Sequence, residues 1–235
     1  KENPALYDEL VKCHLPLNKL RHLADITHEL GLKFICSVFS KEEADGLHDK
    51  LDFYKIASMD LNNLPLLKHI VRKRKHTILS LGMGAPDEMS RAIRALRVNP
   101  LTVMHCVSLS PCPLEKANMG RIDYLIRKLE PQAINVGYSD HTMGFEAAMV
   151  AVAKGAWMIE KHFTLDRYQE GWDHSNSANP SMMRALVQKV RNVEKTLKHT
   201  HEEDWGSRQN MRRSQVAAKK LSKGHKLREK DIAFK

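Results

Sequence analysis

The chain has 235 residues, enough for one large domain or a domain with a small module. Hydrophobic residues make up 42%, which supplies a core, and no run of about 18 apolar residues occurs, so no membrane-spanning helix is expected. The net charge is +10, and residues 208–235 hold ten Lys or Arg against two acids, so most of the excess sits in a basic tail. Such a tail can hold nucleic acid. Its single aromatic, Phe234, offers no stacking platform, and a solvated module surface is the preferred reading. The opening Lys1-Glu2-Asn3-Pro4 has neither a signal segment nor an initiator Met, which leads us to expect residues upstream. The four cysteines form no CxxC pair. Cys36 and Cys106 sit in apolar runs and read as small reduced hydrophobes in a cytoplasmic protein.

In chain order, Leu17–Leu30 is a predicted helix with Leu20, Leu23, Ala24 and Leu30 on one side and Gly31 closing it. Leu32–Val38, Phe53–Ala57 and Thr77–Leu81 are predicted strands. Pro86 opens a further helix, with Asp87 and Glu88 at its positive end. Strands follow at Leu101–Cys106, Ala133–Val136 and Ala156–Lys161, with a small apolar helix at Gly144–Ala153 ended by Gly155. A helix from Pro180 to about Leu197 carries Met183, Leu186, Val187, Val190 and Val193 at helical spacing. The polar stretch His199–Asn210 reads as linker, and from Ser214 an irregular pattern (Val216, Leu221, Leu227 and Ile232, with Gly224 as a turn) reads as the start of a small β-rich module. The resulting division is a domain over 1–197, a linker over 198–213 and a module over 214–235.

Strands alternating with helices imply βαβ units and a parallel sheet, either open and doubly wound or closed as a barrel. No nucleotide-binding glycine motif follows any strand, and polar residues gather past the strand ends: Ser37, Ser58, Asp60, Ser108, Ser139, His141 and His162. A barrel collects its active site there. Only six strands are legible: either two more escape recognition, or an α/β barrel of the TIM (β/α)8 type lacks its first two strands in this chain, which the charged start without Met favours.

Gly137-Tyr138-Ser139-Asp140-His141 ends one strand, and Ile159-Glu160-Lys161-His162 ends the next. Alternation places Ser139 with His141 and Glu160 with His162. Two imidazoles at neighbouring strand ends can share a divalent ion; two hydrogen-bonded structural histidines are the alternative. The loop Gly171-Trp172-Asp173-His174-Ser175 lies close enough in sequence to reach the same place, or is a solvated Asx turn.

Gly137–His141 followed by Gly144-Phe145, then EKHFTLD over Glu160–Asp166, then Asp173-His174, resembles the sialic acid synthase family. That family includes the N-acetylneuraminate, legionaminate and pseudaminate synthases and spore-coat polysaccharide relatives. Phe34–Phe39, Tyr54–Ser58 with Asn63-Leu64-Pro65, Leu79–Met83 and His105-Cys106 extend the resemblance. It implies a (β/α)8 barrel followed by a small antifreeze-like domain, of which Val216–Lys235 looks like the beginning. It also implies a cytoplasmic homodimer that condenses phosphoenolpyruvate with an N-acyl amino-sugar aldehyde to a nonulosonic acid, releasing phosphate, and that does not bind nucleic acid. His141 and His162 match the metal ligands, with Mn2+ the first choice and Mg2+ or Co2+ the alternatives. His141, His162, Glu160 and Asp173 are the catalytic candidates. Ser37, Lys55, Ser58, Ser108 and Ser139 match phosphoenolpyruvate-binding positions, and Asp60, Ser110 and Asp173 sugar-binding ones. Alternation puts Lys55 on the face opposite Ser58, so it either curls back or points outward.

Asp60 stands where N-acetylneuraminate synthases have Glu, and Ser108 and Ser110 where they have Asn and Tyr, which points to a related amino sugar. The family's catalytic Glu lies on a strand not present here, so the chain alone is expected to be inactive. The competing readings are another metal-dependent barrel aldolase or sugar-acid synthase, and a non-catalytic basic binding protein.

Overall fold

The computed structural model describes residues 4–171, 173–198 and 205–235. Trp172 and residues 199–204, part of the expected linker, lie outside them. The chain divides into two compact units, Lys1–Leu197 and Lys198–Lys235.

The first unit carries six strands, β1 (Ile35–Ser37), β2 (Phe53–Ile56), β3 (Thr77–Ser80), β4 (Leu101–Cys106), β5 (Asn135–Asp140) and β6 (Ile159–Lys161). Its helices are α1 (Pro4–Cys13), α2 (Leu17–Glu29), α3 (Lys41–Gly46), α4 (Leu64–Val71), α5 (Pro86–Leu96), α6 (Gly120–Leu129), α7 (Glu146–Ala153) and α8 (Pro180–Thr196). Local chemistry fixes their ends. The Ser40 side chain accepts from Glu43 N, Asn63 from Leu66 N and Asn179 from Met182 N, each an N-cap worth about 1 kcal/mol. Gly31 closes α2 at φ +73°, with Leu32 N–H donating to Thr27 O, a C-cap for which a residue without Cβ is suited.

The strands pair in sequence order, β1 to β6, all parallel. Right-handed crossovers between neighbours produce this order. The sheet is curved. Lys55 on β2 reaches Glu160 on β6 at 3.1 Å, although β3, β4 and β5 lie between them. On a flat sheet four strand spacings amount to about 19 Å, which two side chains cannot bridge. The result is a six-stranded half-barrel. Its convex face packs on the helices through Tyr54, Ile56, Leu79, Val103, Val136 and Tyr138, all nearly fully buried. The concave face carries the polar residues.

Three local expectations need correction. β5 begins at Asn135 and not at Ala133, which takes a left-handed conformation at φ 55° and cannot extend the strand. Leu23 and Leu30 of the α2 region are exposed; only Ala24 of the expected stripe is fully buried. Cys106 ends β4 on the concave, polar side and is not an inert filler.

β1 and β6 each leave one edge unpaired among the described residues. Open parallel edges invite pairing with other chains. The 235-residue chain is therefore expected to elute from size exclusion as higher-order species at concentrations above about 10 µM. A monodisperse monomer would argue that these edges are protected.

In the second unit, α9 (Trp205–Met211) occupies part of the stretch read as linker, and β7 (Gln215–Ala217) pairs antiparallel with β8 (Ile232–Phe234). The fully buried Asp231 carboxylate accepts from His225 Nε2 at 2.8 Å and Arg228 N at 3.1 Å. No helix among the described residues is long and apolar enough to cross a membrane.

Candidate active site

The C-terminal ends of the strands bring most of the sequence-selected residues to the concave face. The register aligns Ser37 with Lys55 and Ser139 with Glu160. Glu160 is the hub. Its Oε1 accepts from Ser139 Oγ at 2.6 Å, and its Oε2 lies 3.1 Å from Lys55 Nζ. Lys55 is 8% exposed, so its ammonium lies inside the curve and not in solvent. Ser37, Lys55 and Glu160 line one cavity of about 590 Å3.

Ser58 and Ser108 form a neighbouring group with Cys106. They converge on Gly82, just past β3: a Cβ there would lie 2.4 Å from Ser108 Oγ, 2.7 Å from Ser58 Oγ and 3.1 Å from Cys106 Sγ. Glycine at 82 lets three polar side chains close over the backbone. Ser37, Ser58 and Ser139 thus share one end and one face of the sheet, but fall into two groups.

Cys106 Sγ lies 3.8 Å from His141 Nδ1, and the Val107 carbonyl oxygen lies 3.0 Å from the same nitrogen. The carbonyl can only accept, so Nδ1 carries the proton and Nε2 keeps its lone pair. The His141 and His162 ring centroids are 5.1 Å apart. The Cys106 thiol holds the His141 imidazole above its ordinary pKa against the effect of burial, helped by Val107 and Glu160. Burial pushes His162 down, and the nearby Asp173 carboxylate only partly offsets it. Burial pushes the Cys106 thiol up, but the hydrogen bond with His141 and those with Ser58 and Ser108 outweigh it, and the thiol ends below its usual value.

The imidazole pair fits a divalent ion. The His141 ring is held by a carbonyl at Nδ1, which leaves Nε2 free, the usual arrangement of a metal-binding histidine. Among the described residues no group of three or more His, Cys, Asp or Glu is arranged for a metal. A two-histidine site would therefore leave positions for water or substrate oxygens.

Asp173 lines a second cavity of about 290 Å3 together with His162, His174 and Ser177. Its Oδ1 accepts from Ser110 Oγ at 2.9 Å, and Asn176 Nδ2 donates to the same Ser110 oxygen at 2.7 Å. Ser110 and Asp173, 63 residues apart in sequence, are thus brought together. Asp60 stands apart from them. Its carboxylate accepts from Asn63 Nδ2 at 2.8 Å, beside the N-cap of α4.

One buried ion pair, not evident from the sequence, positions the histidines. Lys161 Nζ lies 2.9 Å from Asp140 Oδ2, with both side chains almost wholly buried. Lys161 also donates to the Thr142 and Gly144 carbonyls. Asp140 Oδ1 accepts from Thr142 N, Thr142 Oγ1 and Tyr138 OH. Asp140 precedes His141 and Lys161 precedes His162, so this clamp ties the two strand ends on one face while the imidazoles meet on the other. Opposite charges at matching places in two neighbouring strand ends, Asp140 and Lys161, were the available signal.

A curved, all-parallel βα sheet with ionisable side chains gathered at the C-terminal ends of its strands is the arrangement in which (β/α) barrel enzymes place their active sites. The chain belongs to the NeuB family, whose sequence model matches residues 1–202. It is 37% identical over 238 residues to an uncharacterized protein of Methanocaldococcus jannaschii, covering 97% of this chain and 70% of that protein. It is 32% identical over 234 residues to an N,N'-diacetyllegionaminic acid synthase of Campylobacter jejuni, covering 95% and 69%. The crystal structure of an N-acetylneuraminic acid synthetase from Leptospira borgpetersenii, in complex with citrate, matches with a TM-score of 0.81 at 29% identity, covering 88% of this chain and 73% of that one.

Proposed function

We propose that this chain is the larger part of a nonulosonic acid synthase that joins phosphoenolpyruvate to an N-acyl amino-sugar aldehyde and releases phosphate. The observation that carries this is the Lys55–Glu160–Ser139 group beside the His141/His162 pair. A divalent ion held by the two histidines would supply Lewis-acid polarisation of a carbonyl oxygen. Lys55 and the hydroxyls of Ser37 and Ser139 offer a cation and donors to a carboxylate or phosphate. Ser58 and Ser108 add two hydroxyls over Gly82. Glu160, already taking the Ser139 proton in a hydrogen bond, is placed to accept a proton from water. Ser110 and Asp173 supply polar contacts to a sugar at the mouth, and Asp60 a further carboxylate past β2. In this reading two more strands close the half-barrel, the second unit opens an antifreeze-like domain, and the enzyme is a cytoplasmic homodimer. The test is phosphate release from phosphoenolpyruvate, with 2,4-diacetamido-2,4,6-trideoxy and N-acetylmannosamine-type aldehydes as acceptors. It is run on the chain extended by its native flanking sequence, with and without Mn2+. No phosphate release with any acceptor would sink the proposal.

Gly82→Ala separates anion binding from stability. The three side chains that meet the new Cβ can rotate away, so stability is expected to fall by less than about 1 kcal/mol. The displaced Ser58 and Ser108 hydroxyls should weaken phosphoenolpyruvate binding about 10-fold, as loss of one to two hydrogen bonds to an anion does. Titration calorimetry beside a melting curve reads both; unchanged affinity would place the anion elsewhere.

A further inference from the structure

On the outer layer, α5 and α6 lie side by side and enclose a groove of about 460 Å3. This is within the size range of small-molecule sites. The floor is apolar, with Leu81, Ile93 and Leu125. Arg94 and Arg97 rise from α5, Arg121 and Lys128 from α6, and no Asp or Glu lines the groove.

None of these four cations has a carboxylate partner among the described residues. Arg97 has only the Gln132 amide oxygen at 3.4 Å, and Lys128 the Tyr124 hydroxyl at 3.0 Å. Arg121, half-buried, has the Met89 sulfur at 2.9 Å, a weak acceptor for a guanidinium. Arg94 makes no ion pair with a described residue. Several other cations of the same unit do have carboxylate partners, among them Arg21 with Asp49, Lys50 with Asp25 and Lys154 with Asp123. Four uncompensated cations around an apolar floor repel one another unless an anion joins them.

We infer that this groove binds a small organic phosphate of the nucleotide class. The phosphates would be held by the Arg94, Arg97 and Arg121 guanidinium forks, which suit phosphate oxygens. A planar base would lie over the apolar floor beside the Tyr124 ring, already capped by Lys128 Nζ at 5.4 Å. The groove also touches the candidate active site through one loop. Leu81 and Gly84 line it, and Gly82 between them carries the Ser58–Ser108 cradle. An occupant is therefore placed to act on that cradle. The inference does not depend on the proposed condensation, because its test reads binding.

The full chain is titrated with ATP, CTP and inorganic pyrophosphate at about 0.1 M salt, where surface charge is only partly screened. A nucleotide is expected to bind in the micromolar range and at least 10-fold more tightly than pyrophosphate. Arg94→Glu with Arg97→Glu should weaken it at least 10-fold, and the milder Arg94→Gln with Arg97→Gln less, while Lys55→Met leaves it unchanged. Melting curves check that each variant folds. Absence of binding up to about 1 mM nucleotide overturns the assignment. So does equal affinity in the folded arginine variants, loss of binding in Lys55→Met, or pyrophosphate binding as tightly as the nucleotides. Tighter binding of a short RNA with the same arginine dependence would reassign the groove to a macromolecule.

Discussion

Lys161→Met is expected to destabilise the barrel unit by about 3–5 kcal/mol, because it leaves the Asp140 charge buried without its partner. Few single changes reach that size, and it is about a fifth or more of the stability of an ordinary domain. The surface pairs Arg91–Asp87 and Arg191–Glu194 are exposed on both sides, and their loss is expected to cost no more than about 1 kcal/mol. Asp140→Asn should be milder than Lys161→Met, since an amide oxygen can still accept from Thr142 N and Thr142 Oγ1. The double variant should be more stable than the sum of the singles predicts. Each single strands a charge that the double removes, so a double-mutant cycle from urea unfolding should return a favourable coupling of about 1–3 kcal/mol. A Lys161→Met cost under about 1 kcal/mol would show that water reaches the pair and that the clamp does not hold the strand ends.

The sheet was legible in the sequence for a physical reason. Parallel strands buried on the helix side read as short apolar runs, and Gly31 mark the helix end between them. All six runs became strands in the expected order. What period-two reasoning misjudged lies at strand ends, where the period stops. The doubt over Lys55 came from counting alternation on to Ser58. β2 ends at Ile56 and Ser58 opens a 3-10 turn, so the two residues reach the concave side by different backbone routes. Cys106 looked like a hydrophobe because its run is apolar, yet its own position faces Ser58, Ser108 and His141. His105, one residue earlier, faces the other way and donates to or accepts nothing in the cavity; its Nε2 meets the Ala117 carbonyl in the helical layer. Ser110 and Asp173 were grouped only through the family resemblance, since both lie on loops; their contact is a direct hydrogen bond, with Asn176 Nδ2 donating to the Ser110 hydroxyl. Asp140 and Lys161 were hidden for a related reason: among several polar residues at each strand end, a buried charge does not stand out until its partner on the next strand is known.

Addition of Mn2+ or Co2+ to the chain is expected to raise its melting temperature, and alanine at either His141 or His162 to remove that rise. A ligand at 100 times its dissociation constant stabilises a protein by about 2.7 kcal/mol. For a chain of this size that corresponds to a shift of about 5–10 °C. The two variants should differ without metal. His141→Ala loses the hydrogen bond to Val107 O and strands that carbonyl and the Cys106 thiol, so it should lower the metal-free melting point by the equivalent of about 1 kcal/mol. The His162 ring makes no hydrogen bond to a described residue and is pushed toward its neutral form by burial, so His162→Ala should cost only its packing. Both should nevertheless lose the metal response, because a two-histidine site reduced to one imidazole has too few protein ligands to hold the ion against water. Serial replacement of Mn2+ by Co2+ adds a visible spectrum to the same experiment. A metal-induced shift of equal size in wild type and both variants would place the ion elsewhere and leave the imidazole pair a structural contact.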